Sequence, residues 1–202
     1  MKDLVLLVAD KSMQATLRGV LCRPAAMGIR PISFDFRVHP GRDGGARTTG
    51  SDVLALERRR FGHALLIFDL EGSGAGIDDP LLIESGLDAK LNHHWGGRAK
   101  AIVIAPELDI WMWGAESALR EVFRWPPDLP SIRDWLTREG FQIDPNGKPT
   151  RPKEALVAMT RVHRQARSSA LYEKVAKKIS LRRCRDAAFA RLRTRLQEWF
   201  GS

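Results

Sequence analysis

Three short apolar runs in this chain end abruptly in carboxylates, and that pattern constrains the fold more than any other feature. Leu4-Val5-Leu6-Leu7-Val8-Ala9 stops at Asp10. Ala64-Leu65-Leu66-Ile67-Phe68 stops at Asp69-Leu70-Glu71 and a glycine-rich turn, Gly72-Ser73-Gly74. Ala101-Ile102-Val103-Ile104-Ala105 stops at Pro106-Glu107-Leu108-Asp109. A continuous apolar run of strand length bounded by turn signals reads as a strand buried on both faces, as in a parallel sheet covered by helices. Parallel strands end on one edge, and in open α/β sheets ligands bind just beyond it. Acids there suit a hard cation such as Mg²⁺, which takes oxygen ligands. A single such acid reads equally well as a helix cap or a solvated turn. Three in a row predict that Asp10, Asp69, Glu71 and Glu107 converge.

The segments between the runs fit that reading. Met13, Leu17, Val20 and Leu21 recur at helical spacing after the first run. Ile32–Val38 alternates apolar and polar, as a half-exposed strand does. His39–Arg47 reads as a glycine-rich loop whose backbone and arginines suit a phosphate, without a P-loop or GxGxxG pattern. Ser51 or Asp52 reads as the cap of a helix over Val53–Arg60. Gly72–Pro80 reads as a flexible connection. A helix over residues 80–92 offers Leu81, Leu82, Leu87 and Leu91 to the core. His93 and His94, adjacent in sequence, read as solvated turn residues rather than metal ligands. Trp111 and Trp113 suit base stacking, with at least one expected in the core. Further on, Ser131 caps a helix over Ile132–Glu139, another runs from Glu154, a third starts at Ser168 or Ser169, and a last spans Asp186–Phe200. The predicted order, β-α-β-α-β-α-β-α followed by helices, is a three-layer α/β sandwich with a parallel-rich sheet. Its expected division is an α/β core over residues 1–125 and a helical segment over 126–202 packed on it.

Charge is unevenly placed. Residues 151–202 hold 14 Lys/Arg against 4 Asp/Glu, a net +10, so residues 1–150 sum to −1 of the chain's +9. Such asymmetry points to a polyanionic partner, nucleic acid above all, though a solvated basic face gives the same count. Arg191, Arg193 and Arg195 stand out in this segment. Cys22 and Cys184 are far apart, as reduced cytosolic thiols would be, and lack zinc spacing. No run approaches the ~18 apolar residues that span a bilayer, and Asp10 interrupts the first run too early for a secretory signal. The expected location is the cytoplasm, without membrane contact.

The acid-ended strands in this order resemble a Toprim domain, the metal-binding α/β fold of topoisomerases, primases and OLD-type nucleases. That family carries a Glu after its first strand and Asp-x-Asp after a later one. Asp10 and Asp69-Leu70-Glu71 occupy the matching positions, with Asp for Glu at the first and Glu for Asp at the last. Within the group the chain is most similar to the small RloB-like proteins of bacterial phage-defence loci. Their Pro-x-x-Glu-x-Trp segment has a rough counterpart in Pro106–Trp111. The chain also looks like a small component of methylation-associated defence systems. The resemblance covers residues 4–113. It implies Mg²⁺- or Mn²⁺-dependent nuclease chemistry in antiviral defence, with Asp10, Asp69, Glu71 and Glu107 as metal ligands. Asp10, Asp69, Glu71 and Lys153 would be catalytic, with Asp10 a ligand or general base. Lys148, Arg151 or Lys153 would neutralise phosphate charge. The shorter Asp10 equally fits a non-catalytic Toprim-like subunit that binds nucleic acid or other defence proteins. A third reading, a receiver-like domain phosphorylated on Asp69, is disfavoured because receivers pair two acids after the first strand.

Overall fold

The computed structural model describes residues 1–76 and 79–201. Four strands, β1 (Lys2–Val8), β2 (Phe34–Val38), β3 (Phe61–Asp69) and β4 (Ala99–Ile104), form one parallel sheet in the order β2-β1-β3-β4. Leu6 lies beside Leu65, and Ile67 beside Ile102. The apolar runs of β1, β3 and β4 are buried almost throughout, as strands covered on both faces must be. β2 is half-buried, in keeping with its alternating sequence, and begins at Phe34 rather than Ile32.

Helices cover both faces. Between the strands run α1 (Lys11–Leu21) with the short α2 (Pro24–Met27), α3 (Arg42–Ala55) and α4 (Pro80–Trp95). Right-handed crossovers place α1 opposite α3 and α4, because β2 and β3 lie on either side of β1. After β4 come α5 (Asp109–Met112), α6 (Glu116–Phe123), α7 (Ile132–Arg138), α8 (Pro152–Val162), α9 (Ser169–Ala176), a 3-10 turn (Leu181–Arg183) and α10 (Ala187–Phe200). Ser131 caps α7 as its sequence predicts, and Ser168 and Asp186, expected as helix starts, cap α9 and α10. The α/β architecture with a helical C-terminal part is therefore the expected one.

Local details depart from expectation for identifiable reasons. His39–Arg47 is not all loop, and no helix spans Val53–Arg60; instead α3 begins at Arg42 and ends at Ala55. Its glycines are poor helix formers on propensity, yet they let the helix sink onto its neighbours. A Cβ on Gly45 would stand 2.4 Å from the His39 ring, and one on Gly50 2.6 Å from Leu66. Close approach overrides propensity. α4 runs on to Trp95 and ends at Gly96, whose φ of 56° suits the left-handed cap. Leu81 and Leu82 lie outward, 57% and 62% exposed, while Leu87 and Leu91 are buried. Of the expected Gly72–Pro80 connection, residues 77 and 78 lie outside the described residues. Trp111 and Trp113 are both core, with indole N–H groups donating to Asp186 Oδ1 and the Pro152 carbonyl. That removes them as base-stacking platforms.

The C-terminal helices share the core of the sheet domain. A Cβ on Gly19 of α1 would stand 2.8 Å from Ala176 Cβ of α9, so these helices touch nearly backbone to backbone. On the edge strand β4, the outward N–H groups of Ala101 and Val103 donate to Asp88 and Glu84, one turn apart on α4, at 2.8 and 2.7 Å. Arg191 of α10 holds Glu84 and the Val103 carbonyl. Carboxylates thus stand in for a fifth strand and close that edge. Among the described residues no helix is long and apolar enough to cross a membrane.

Candidate functional site

At the carboxyl ends of the strands lies a cavity of about 500 Å³. It opens where β1 and β3 lie side by side while their connections leave in opposite directions, the switch point at which α/β sheets receive ligands. Asp10 reaches it from the end of β1, Arg42 and Asp43 from the start of α3, and Asp69 and Glu71 from the end of β3. Glu107 and Asp109 follow β4, Lys153 and Tyr172 come from α8 and α9, and Arg167 from the connection between them. Asp10, Asp69, Glu71, Glu107 and Lys153, singled out in the sequence, thus line one cavity. Lys148 and Arg151 do not line it; the Arg151 guanidinium lies over the Phe141 ring instead.

Each acid has a distinct local role. Asp10 caps α1, accepting from the Met13 N–H at 2.8 Å, with its other oxygen 3.9 Å from Arg42. Asp69 Oδ1 accepts from the Leu108 N–H at 2.9 Å, while the Asp69 N–H donates to Asp43 at 2.9 Å. These two bonds tie α3, β3 and the β4 exit together at the floor of the cavity. Glu107 accepts from Lys153 Nζ at 3.0 Å and from the Lys153 N–H at 3.2 Å. Asp109 accepts from the Tyr172 hydroxyl at 2.6 Å and from Arg167 Nη2 at 3.2–3.3 Å. Glu71 is exposed, anchored through its N–H to the Pro106 carbonyl.

Electrostatics single out Asp69. Burial raises its pKa well above the usual carboxylate range. The nearby charges of Asp43, Asp109 and Glu107 push the same way, and only the Leu108 N–H opposes them. Burial also raises Asp43, with Asp10 adding to it, and raises Glu107 against the pull of Lys153. The Tyr172 hydroxyl is raised by burial and by Asp109, so it stays protonated and donates.

A divalent cation is a fair test of this arrangement. The donors are all oxygen, as Mg²⁺ and Mn²⁺ prefer. A raised carboxylate crowded by like charges gains from an added positive charge. Among the described residues no three Asp, Glu, His or Cys side chains already stand as a coordinating cluster. Glu107 and Asp109 are engaged by Lys153, Arg167 and Tyr172, and Asp10 by its helix. The donor chemistry fits: among the described residues Asp43, Asp69 and Glu71 make no ion pair, and Asp10 meets only Arg42, at 3.9 Å.

Sequence reasoning missed Asp43, Arg167 and Tyr172. Asp43 follows the end of β2 just as the other acids follow their strands, but a glycine-rich segment read as loop concealed it. Tyr172 falls on the apolar stripe of α9 and reads as core, and no local pattern around Arg167 marks it. The expected basic face also changes. Arg191 is bound into the β4 edge, Arg193 donates to the Leu181 carbonyl, and Arg195 pairs with Glu198. No family model, no curated protein and no solved structure matches this chain.

Proposed function

We propose that this cavity binds a divalent cation and cleaves phosphodiester bonds in nucleic acid. The observation that carries the reading is Asp69, a carboxylate with a raised pKa at the sheet's switch point, crowded by Asp43, Glu107 and Asp109. Asp69 and Glu71 are the proposed ligands, Asp10 a ligand or general base, and Glu107 a further ligand once Lys153 turns to substrate. A bound Mg²⁺ would supply charge to polarise a phosphoryl oxygen and make water a better nucleophile. Lys153 and Arg167 then face the phosphate, one as a point charge and the other as a planar fork. Tyr172 holds Asp109, which in turn aims Arg167. The fold agrees with the Toprim resemblance at the level of a parallel α/β sheet, and the antiviral setting rests on that likeness of motifs alone.

The test is Mn²⁺ titration by calorimetry, together with cleavage of single- and double-stranded DNA and RNA. Glu71→Gln changes an exposed carboxylate and leaves the fold intact. It should reduce metal-dependent cleavage at least about 100-fold, the scale of a lost catalytic group. Cleavage that persists in Glu71→Gln and Asp69→Asn, or a wild type that binds no Mn²⁺, refutes the proposal.

A second reading has its own support. Glu107 and Asp109 are already neutralised within the chain by Lys153 and Arg167, as suits a subunit that binds without cutting. It would hold nucleic acid through the basic segment 151–202, where Arg161, Arg164, Lys174 and Arg185 are exposed. Binding of this kind weakens with salt, log K falling by about 0.9 per duplex phosphate neutralised for each tenfold rise in salt. Replacing these four residues with Ala should flatten that slope. Salt-insensitive affinity would rule the basic face out.

A further inference from the structure

The two outer strands of the sheet end differently. β4 has its outward N–H groups capped by Asp88 and Glu84. Among the described residues β2 has no such cover. Its odd-numbered residues bond to β1: the Ser33 carbonyl accepts from the Leu4 N–H, and the His39 N–H donates to the Val8 carbonyl. The N–H and C=O groups of Phe34, Phe36 and Val38 therefore point away from the sheet. Among the described residues the sole group to meet them is the Arg37 guanidinium, on the Phe36 carbonyl at 2.9 Å. Phe34 and Phe36 are half-buried and Val38 is 40% exposed. An unpaired edge of this kind is a template for another strand.

The sequence of β2, Phe34-Asp35-Phe36-Arg37-Val38, complements its own reverse. We propose that β2 pairs antiparallel with β2 of a second copy of this chain, about a two-fold axis at Phe36, to make one continuous sheet. A two-fold interface presents the same patch from both copies, so a self-complementary strand suffices. In that register Phe36 faces Phe36 of the second copy, Phe34 faces Val38, and Asp35 faces Arg37. The backbone agrees with the side chains. Phe34, Phe36 and Val38 carry the outward N–H and C=O groups, so all three fall at hydrogen-bonded positions of the antiparallel ladder. Asp35 and Arg37 fall at the alternate positions, where facing Cα atoms approach to about 4.5 Å and side chains interact most closely. One face of the joint ladder is an apolar row continuous with the core; the other carries two ion pairs of opposite polarity. Arg37 leaves the Phe36 carbonyl to pair across the axis, and its bond to Glu57 at 2.7 Å keeps it beside the strand; Asp35, held by Lys2 Nζ at 2.8 Å, shares its oxygens between Lys2 and Arg37 of the second copy. A partner of unrelated sequence would lack this charge order, which is why the second copy is the occupant.

Sedimentation velocity across about 1–200 µM tests the proposal on the full chain. The wild type should be a dimer at the upper end. Asp35→Arg places like charges opposite each other at both pairs, and so does Arg37→Asp; each should weaken self-association at least about tenfold. An equimolar mixture of the two variants restores opposite charges and should form a heterodimer. Hydrogen exchange of the wild type gives a readout that needs no variant. The amides of Phe34, Phe36 and Val38 should become protected as concentration rises, while those of Asp35 and Arg37 are protected throughout. A wild type monomeric at the highest concentration, a dimer indifferent to both charge reversals, or protection that ignores concentration would overturn the proposal. Cation binding at Asp69 is unaffected by any of these results.

Discussion

Glu84 on α4 and Asp69 at the end of β3 both receive a backbone N–H from the β4 segment, Val103 at 2.7 Å and Leu108 at 2.9 Å. Burial raises the pKa of both. Their surroundings then diverge. Glu84 is met by the Arg191 guanidinium, which also grips the strand's own carbonyl, so its charge is balanced inside the fold. Asp69 is met by Asp43, Asp109 and Glu107. A buried carboxylate is thus an ambiguous sign by itself. Its neighbours decide whether it serves the fold, as Glu84 does in closing an edge, or depends on a proton or an outside cation.

The largest effect should come from removing the balance at Glu84. Arg191→Ala leaves a mostly buried charge with one N–H donor. It should lower unfolding free energy by about 3 kcal/mol, the usual cost of breaking a buried pair from one side. Adding Glu84→Gln removes the stranded charge and should recover much of that loss. Denaturant unfolding of both variants measures it. A midpoint unmoved by Arg191→Ala would mean that Glu84 is no better balanced than Asp69, and the contrast would collapse.

A middle-sized effect tests how α3 brings Asp43 against Asp69. Gly45→Ala puts a methyl group into the His39 imidazole, whose nitrogens are held by the Gly41 N–H and the Thr49 hydroxyl at 3.0 Å. The loss should be about 2 kcal/mol, as for overpacked sites. Gly86→Ala on exposed α4 meets nothing within 4 Å and should instead gain up to about 1 kcal/mol. Thermal unfolding of the two variants gives the signs. Equal signs would show that Gly45 is held by propensity rather than by contact.

The same residues show what the sequence could carry. Strand-length apolar runs and the acids behind them are local signals, so the sheet, its polarity and the placement of Asp10, Asp69, Glu71 and Glu107 were legible. The cap at Ser131 and the helix starts at Ser168 and Asp186 are local too. The start of α3 was not, because Gly44, Gly45 and Gly50 argue against a helix until Leu66 and His39 lie beside it. Arg191 was legible as a positive charge but not as the partner of Glu84, 107 residues away. Tyr172 on α9 and Arg167 just before it reach the cavity through tertiary packing, in which α9 lies against α1. What escaped reading is what depends on residues distant in sequence.

The smallest stability effect should come from Asp69, and its pH dependence sharpens the contrast most. The folded-state pKa is raised, so the folded chain holds this proton more tightly than the unfolded chain does. Between the unfolded value, about 3.9, and the raised one, the native state binds more protons, and stability falls as pH rises. Asp69→Asn removes that slope. Its amide oxygen can still accept the Leu108 N–H, and repulsion from Asp43, Glu107 and Asp109 is gone. The variant should therefore exceed the wild type by on the order of 1 kcal/mol at about pH 8. The gap should close as pH falls through the raised pKa. Cation binding requires the carboxylate, so wild-type Mn²⁺ affinity should rise over the same interval, and the variant should bind none. Paired unfolding curves and calorimetric titrations at several pH values measure both. A variant less stable than the wild type at high pH would show that Asp69, like Glu84, is a balanced structural acid.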